Sequence, residues 1–495
     1  MNNQNNIIVG LDIGTTKIAC FIGQRGENQK IKIIGFGKTE SKGVERGVVK
    51  SIIGTAESIK RAVEIASEQA GIDVKEVYVG IAGQHIKSRQ TMGTIMIPSD
   101  HKFIEQEDID RLLEEQHNIM LNPGEDFIHV FPQTYVVDGE ELSLDIDPVG
   151  VPGKQLKANF HVVTGNTLNL INIHDSVERA GLNIKGVVLE PIASSLAVLD
   201  QNDKDAGVAL VDIGGGTTDI AIFHEGIIRH TSVLPLAGNV ITNDIKDGCK
   251  ILRGQAETLK TRFGSCLPQN VSENDIISIP GLRTQPPREI SMRTLAGIIK
   301  ARTETILEQV NFEIQKSHLE KHLIAGIVLT GGGAQLRHIK ELTEFTTGID
   351  TRVGLPNEHL EKDTNPEIIN TMYATGIGLV IYGFNELDEA RRQQKPQEEK
   401  NETPETKTTP DEDKTPTFDP NVFGPIDEIE TTHPTHDDKK PAEEESKKKK
   451  DTGNGKRKER GKGFGSQFSK VIEKYFANIF TDGTIRDEGN EEQDL

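Results

Sequence analysis

From about residue 7 to about residue 385, short runs of Val, Ile and Leu alternate with stretches whose apolar residues return every three or four positions. The runs at 7–11, 20–22, 77–81, 209–212, 220–223 and 327–330 predict strands. The stretches at 49–69, 167–180, 294–315 and 334–345 predict helices. Such alternation predicts an α/β fold with helices packed on sheets. Residues 84–165 break the rhythm. Polar strand-like runs at 91–97 and 126–137 flank a charged helix near 106–116, which predicts a small α+β subdomain inserted in the first half.

Beyond residue 389 the pattern stops. Residues 390–463 are rich in Pro, Thr, Glu, Asp and Lys. A segment with so little apolar surface to bury cannot offset its ordering entropy, so a disordered linker is expected. Periodicity returns at 464–480. There Phe464, Phe468, Val471, Ile472, Tyr475, Phe476, Ile479 and Phe480 fall on one helical face, with Lys470, Glu473, Lys474 and Asn478 off it. The lysines at 447–450 and Lys456, Arg457, Lys458, Arg460 and Lys462 lie just upstream. An aromatic face behind a basic run suits an in-plane helix on anionic lipid. The alternative is a helix that docks on a protein groove or on its own core. The final stretch, 481–495, is acidic, and Asp482, Asp487, Glu488, Glu491, Glu492 and Asp494 would be repelled by such a surface.

Composition sharpens this picture. A chain of 495 residues fits two or three domains. Its 35% hydrophobic content is low, and the linker accounts for the deficit. A net charge of -20 argues against a nucleic-acid partner, which needs a positive field. Cys20, Cys249 and Cys266 show neither metal-ligand spacing nor a disulfide framework, which points to a reducing compartment. The N-terminal MNNQNN has no basic start and does not read as a signal peptide. No stretch approaches the roughly 20 apolar residues that span a bilayer, so a soluble or peripheral protein is expected.

The candidate chemistry lies in an internal repeat. Val-Gly-Leu-Asp-Ile-Gly-Thr-Thr-Lys-Ile-Ala (9–19) and Leu-Val-Asp-Ile-Gly-Gly-Gly-Thr-Thr-Asp-Ile-Ala (210–221) both read apolar strand, Asp-Ile-Gly, Thr-Thr, apolar strand. A hairpin turn of Gly and Thr exposes backbone N–H groups that bind anionic oxygens. Asp12 and Asp212 can hold a hydrated Mg²⁺, and Lys17 can neutralise phosphate as a point cation. Taken singly, each loop also reads as a plain tight turn. A third element, Ala-Gly-Ile-Val-Leu-Thr-Gly-Gly-Gly-Ala-Gln-Leu (325–336), reads strand, triple glycine, helix. Its glycines let a flat ring lie against the backbone, and a helix N-terminus favours anions.

The order of two phosphate loops and a nucleoside loop matches the actin, sugar-kinase and chaperone ATPase superfamily. Within it the chain resembles the bacterial cell-division family FtsA over about 7–383 and the terminal helix. The resemblance rests further on Ala-Gly-Gln-His (82–85), Pro-Gln-Thr-Tyr (132–135), Arg-His-Thr-Ser-Val-Leu-Pro-Leu-Ala-Gly-Asn (229–239), Ala-Glu-Thr-Leu-Lys (256–260) and Pro-Pro-Arg (286–288). It implies an actin-like, duplicated ribonuclease-H-like α/β fold with two lobes. The implied divisions are 1–83 for the first subdomain, 84–165 for the relocated insert, and 166–238 for the rest of the first lobe and the start of the second. They continue with 239–320 for a small subdomain of the second lobe, 321–389 for its remainder, 390–463 for the linker, 464–480 for the helix and 481–495 for the tail.

The resemblance also implies site residues. Asp12 and Asp212 would face Mg²⁺ through water. Gly14, Thr15, Thr16 and Lys17 would meet the phosphates of ATP from one side, and Gly214, Gly215, Gly216, Thr217 and Thr218 from the other. Glu257 and Lys260 would reach the ribose or adenine edge, and Gly331, Gly332 and Gly333 would back the adenosine. Asp212 and Glu190 are the catalytic candidates. Glu190 would orient an attacking water, or is simply a loop carboxylate beside proline. Weak or absent ATPase activity is implied.

The implied partners are the C-terminal peptide of FtsZ, further copies of the chain in actin-like filaments, anionic lipid and other division proteins. The implied location is the cytoplasmic face of the inner membrane at the division site. Arg288, Arg293 and Arg302 are candidates for the acidic groups of FtsZ, or are ordinary solvated charges. Competing readings are a pilus-assembly protein like PilM, a sugar or acid kinase, and a chaperone of the DnaK type. The kinase lacks the second loop, the chaperone needs a β-rich domain after residue 389, and the tethered helix favours FtsA over PilM.

Overall fold

The computed structural model describes residues 6–394 apart from 27–28, 144–145 and 282–285. Of these, residues up to 393 fall in one compact unit. The linker from 395 to 463, the helix expected at 464–480 and the acidic tail lie outside the described residues. The last helix continues through Gln394, beyond the point where the composition changes.

The first lobe begins with β1 (Ile7–Ile13), β2 (Lys17–Arg25) and β3 (Ile31–Glu40), an antiparallel meander. The two-residue strands β4 (Val44–Glu45) and β5 (Val48–Val49) lead into α1 (Ile52–Ala70) and β6 (Glu76–Ile81). Ser51 caps α1 by accepting from the Gly54 N–H, and Gly71 ends it in a left-handed conformation. A Cβ at Gly37 would stand 2.0 Å from the Ala62 carbonyl, so only glycine lets α1 lie this close to the sheet.

The insert comprises β7 (Lys87–Met96), α2 (Gln106–His117), β8 (Glu125–Val137), β9 (Glu140–Glu141) and β10 (Gln155–Asn166). Its sheet runs in the order β7-β10-β8-β9. The chain then returns through α3 (Thr167–Arg179), β11 (Asn183–Leu189), α4 (Glu190–Val198) and α5 (Gln201–Ala206).

The second lobe repeats the plan with β12 (Val208–Ile213), β13 (Thr218–His224) and β14 (Ile227–Leu234). Next come α6 (Gly238–Cys249), α7 (Arg253–Phe263), the hairpin β15 (Ile276–Ile279) and β16 (Arg288–Ser291), and α8 (Met292–Lys316). β17 (Ile327–Thr330), α9 (Ile339–Thr347), β18 (Thr351–Val353) and α10 (Ala374–Gln394) complete it. The two main sheets run β11-β6-β1-β2-β3 and β14-β13-β12-β17-β18. Each is a meander whose first strand pairs in parallel with a later strand, which in turn pairs in parallel with one further strand, so the internal repeat in sequence is a repeat of topology.

One expected helix is corrected. The run at 334–345 does not start a helix after the glycines. Gly333–Gln335 form a 3-10 turn, Leu336 is extended, and α9 begins only at Ile339 behind a left-handed His338. Arg337 explains the delay. Its guanidinium donates to the carbonyls of Phe263 and Gly264, and its own carbonyl accepts from Cys266 N–H. These tertiary bonds to the end of α7 override local helix propensity.

Among the described residues, one apolar cluster fills the first lobe and reaches into β12, β13, β14 and β17 of the second and β8 and β10 of the insert, while two others fill the rest of the second lobe and of the insert. The lobes are joined where α10 crosses α4, both of which contribute to the first cluster. A Cβ at Gly378 would stand 1.8 Å from the Ala193 carbonyl, so the crossing depends on glycine.

The insert is seated on both lobes by buried polar groups. His129 Nε2 accepts from Leu189 N–H of β11 at 3.0 Å. His161 Nε2 lies 2.9 Å from Thr231 Oγ1 of β14, and Gln133 donates to Ile228 O at 2.8 Å. Phe131 stacks between the two imidazoles, 5.1 Å from His129 and 6.4 Å from His161. Burial pushes both histidines down to about 3, with a neighbouring histidine adding to each.

Two outcomes follow from this packing. Gly378→Ala should cost about 2 kcal/mol or more, because the methyl group has no room; an unchanged denaturant midpoint would show that the crossing is not tight. The histidines stay neutral when folded but protonate in the unfolded chain below the ordinary 6.5. The unfolded state therefore binds more protons between 6.5 and about 3, and stability falls as pH drops through that window. His129→Gln keeps an acceptor for Leu189 without titrating, so its thermal midpoint should fall less than the parent's between about pH 7 and about pH 5.

Candidate nucleotide-binding cleft

The β1–β2 and β12–β13 hairpins end in loops that face one another across a cleft of about 280 Å³. Their registers close at Ile13 opposite Ile18 and at Ile213 opposite Thr218, leaving Gly14–Lys17 and Gly214–Thr217 in the turns. The loops touch. A Cβ at Gly215 would stand 2.3 Å from Thr16 Cγ2, and one at Gly216 would stand 2.4 Å from Thr15 Oγ1. Glycine is therefore required at both positions by the opposite lobe.

Acidic side chains crowd the floor. Lys17 Nζ donates to Asp12 Oδ2 at 2.8 Å. Burial works against the Lys17 charge, but Asp12 and Asp212 outweigh it and hold its pKa above the ordinary value. Asp212 Oδ2 accepts from Ser194 Oγ of α4 at 2.7 Å and from Thr375 Oγ1 of α10 at 3.3 Å. The crossing of those helices thus sets the Asp212 carboxylate. Burial raises the Asp212 pKa, and Asp12 raises it further.

Asp219 pairs in register with Asp212 on the neighbouring strand. Its Oδ2 accepts from Thr217 Oγ1, while the buried Oδ1 has no hydrogen-bond partner. Glu190 opens α4, followed by Pro191 in the first turn, where proline and an acid both suit a helix start. Its carboxyl lines the cleft. Burial, then Asp12, Asp219 and Asp212, push Glu190 well above the carboxylate range. Burial, then Asp212, does the same to Asp219.

The opposite end of the cleft is built from α6, α7 and the triple glycine. Lys260 Nζ donates to Gly238 O at 3.0 Å and to Thr242 Oγ1 at 2.9 Å, and pairs with Glu257 at 2.9 Å. Burial lowers its pKa despite Glu257. Gly331 and Gly333 are held by β12: added Cβ atoms would meet Asp212 Oδ1 at 2.3 Å and Ile213 Cγ2 at 2.4 Å. Gly332 faces open space, where a flat ring has room.

The expected cleft residues Asp12, Gly14 to Lys17, Glu190, Asp212, Gly214 to Thr217, Glu257, Lys260 and Gly331 to Gly333 all line this cavity. Thr218 stands apart: it is buried in β13, and its hydroxyl donates to Leu236 O. Sequence reasoning passed over Asp219, Thr375, Gln335 and Arg337, which also line the cavity, and Ser194 behind it. Asp219 had a signal, since it closes the DIGGGTTD motif opposite Asp212. The other four had none.

The three candidate arginines lie elsewhere, on β16 and α8. Arg302 makes a two-point pair with Asp244, Arg293 pairs with Glu273, and Arg288 donates to Cys249 O. An acidic peptide has to compete with these contacts.

Chemically, the cleft combines two glycine-rich turns with a surplus of buried carboxyl groups. The unpartnered Asp219 oxygen and the converging carboxylates fit a cation, and the glycine loops fit phosphate oxygens.

Comparisons with known proteins agree with this geometry. The family model described as "Cell division protein FtsA" matches residues 209–378, and "SHS2 domain inserted in FTSA" matches 83–164. A model described as "Hsp70 protein" matches 169–231. The cell division protein FtsA of Pseudomonas aeruginosa is 37% identical over 378 residues, covering 76% of this chain and 89% of that protein. The chain belongs to the FtsA family. The FtsA of Neisseria meningitidis is 36% identical over 383 residues, covering 77% of this chain and 91% of its own. Among solved structures, a PilM–PilN type IV pilus biogenesis complex aligns with a TM-score of 0.55 at 15% identity, covering 76% of this chain and 98% of that one. That likeness shows the fold alone, so the cell-division reading stands ahead of the pilus one. FtsA membership makes this a cell-division protein, and its actin-like fold implies nucleotide binding.

The acidic floor has a measurable consequence. Glu190 keeps its proton in the folded chain above the ordinary 4.5, whereas the unfolded chain releases it. Stability is therefore lost as pH rises through the folded value. Glu190→Gln should raise the thermal midpoint of the ligand-free protein by a few degrees at alkaline pH and flatten that decline. A lower midpoint at alkaline pH would show that the carboxylate is compensated.

Proposed function

We propose that this FtsA-family chain binds ATP with Mg²⁺ in the cleft and uses the bound state to set its contacts within the division ring. The meeting of two phosphate loops over a carboxylate floor carries this reading. Gly14, Thr15, Thr16 and Lys17 hold phosphate from the first lobe, and Gly214 to Thr217 hold it from the second. Asp12 and Asp212 face the metal, joined by Asp219. Glu257 and Lys260 flank the ribose or adenine edge, and Gly332 backs the ring. The bound metal supplies positive charge against the carboxylates and phosphates. Glu190 lines the cleft beside these carboxylates and is the candidate that would orient an attacking water.

Lobes joined through a nucleotide suit a subunit that assembles head to tail with copies of itself. The small subdomain at 239–320 offers Arg288, Arg293 and Arg302 to the acidic C-terminal peptide of FtsZ. The helix at 464–480 holds the chain on the cytoplasmic face of the inner membrane at the division site. Its upstream basic run contributes about 1 kcal/mol per cation near an anionic surface. No helix among the described residues is long and apolar enough to cross a membrane, which agrees with a peripheral attachment.

Sedimentation with anionic liposomes tests the assignment, using the full chain and a version ending at residue 463, each with ATP and Mg²⁺. The full chain should pellet and the shorter one should stay in solution while still binding ATP. Equal pelleting would remove the anchor. Failure of both forms to bind ATP would remove the nucleotide role.

A further inference from the structure

Between β3 and α1 the chain makes a two-residue hairpin. β4 and β5 pair Val44 with Val49 and Glu45 with Val48, leaving Arg46 and Gly47 in the turn. Both are left-handed, with φ of 50° and 73°. A two-residue turn of this hand favours Asn, Asp and Gly, so an arginine at its first position works against local preference.

The turn stands at the junction of the two phosphate loops. Gly47 N–H donates to Thr15 Oγ1 of the first loop at 3.0 Å. A Cβ at Gly216 of the second loop would stand 2.9 Å from Arg46 Cα. Arg46 is therefore carried by one lobe, with its Cα against the phosphate loop of the other, at the rim of the cleft that Gly47 lines. Its side chain is exposed and makes no hydrogen bond or ion pair among the described residues. Lys17, by contrast, is committed to Asp12.

We propose that Arg46 reads the outermost phosphate of a bound nucleoside triphosphate, donating charge-assisted hydrogen bonds to it from the first lobe while the second lobe's loop holds the same group. This rests on the nucleotide reading above. The planar guanidinium fork suits a phosphate better than the compact ammonium of lysine does. With a diphosphate bound, Arg46 has no phosphate to meet and stays in water. The residue therefore separates triphosphate from diphosphate, and it does so across the gap between the lobes.

The test compares the parent with Arg46→Gly and Arg46→Lys. Glycine removes the side chain and suits the left-handed turn, so folding is preserved. Affinities for ATP and for ADP, each with Mg²⁺, are measured by competition against a fluorescent nucleotide. Arg46→Gly should weaken ATP about ten-fold or more and ADP by less than about two-fold, with Arg46→Lys between parent and glycine for ATP. Equal changes for both nucleotides, or none for either, would overturn the role of Arg46 and leave the site intact. A parent chain that binds neither nucleotide would overturn the site itself.

Discussion

Two loops from different lobes come into contact, and the second has no room for a side chain where they meet. Gly215 faces Thr16 and Gly216 faces Thr15 at distances that exclude a Cβ. Contact of this kind fixes the width of the cleft and brings Asp12 and Asp212, each at the end of a central strand, to one floor. The duplicated topology serves this meeting. Each lobe presents the same hairpin from the same place in its sheet, and the α4–α10 crossing holds the lobes in register.

That geometry has an electrostatic cost. Asp12, Asp212, Asp219 and Glu190 line one cavity, with Lys17 among them. Like charges in a desolvated site cannot all ionise freely, which is why Glu190, Asp212 and Asp219 are displaced toward their neutral forms. A fold selected for stability alone would not gather them. Natural chains break such rules at sites where a ligand restores the balance, and the nucleotide binding that the actin-like fold implies makes this cleft such a site.

The sequence exposed the parts of the site that depend on local backbone chemistry. Gly and Thr in a tight turn have a physical reason visible without coordinates, so the two hairpin turns and the duplicated fold could be read directly. Ser194 and Thr375 could not be read, because they reach Asp212 only through a helix crossing set by distant packing. Asp219 lay within the motif but read as a strand residue; only the register opposite Asp212 gives it a place in the cleft. The strand at 126–137 reads as a polar run, yet His129, Phe131 and Gln133 are buried, since that face packs on β11 and β14. The helix after the triple glycine failed for the same reason: Arg337 answers to α7, not to its sequence neighbours.

The insert occupies a position with mechanical leverage. It is joined covalently to the first lobe, yet its buried hydrogen bonds reach β14 of the second as well as β11 of the first. At its root, Gly83 lies against Gly47, and Gly47 donates to Thr15 in the first phosphate loop. A change in lobe separation at the cleft therefore loads both attachments of the insert. Buried polar contacts resist gradual stretching, because a donor pulled from its acceptor without access to water loses the whole bond. Such an arrangement favours discrete states over continuous drift. The insert is thus tied by buried hydrogen bonds to both lobes and, through Gly83 and Gly47, to the loop that carries Thr15.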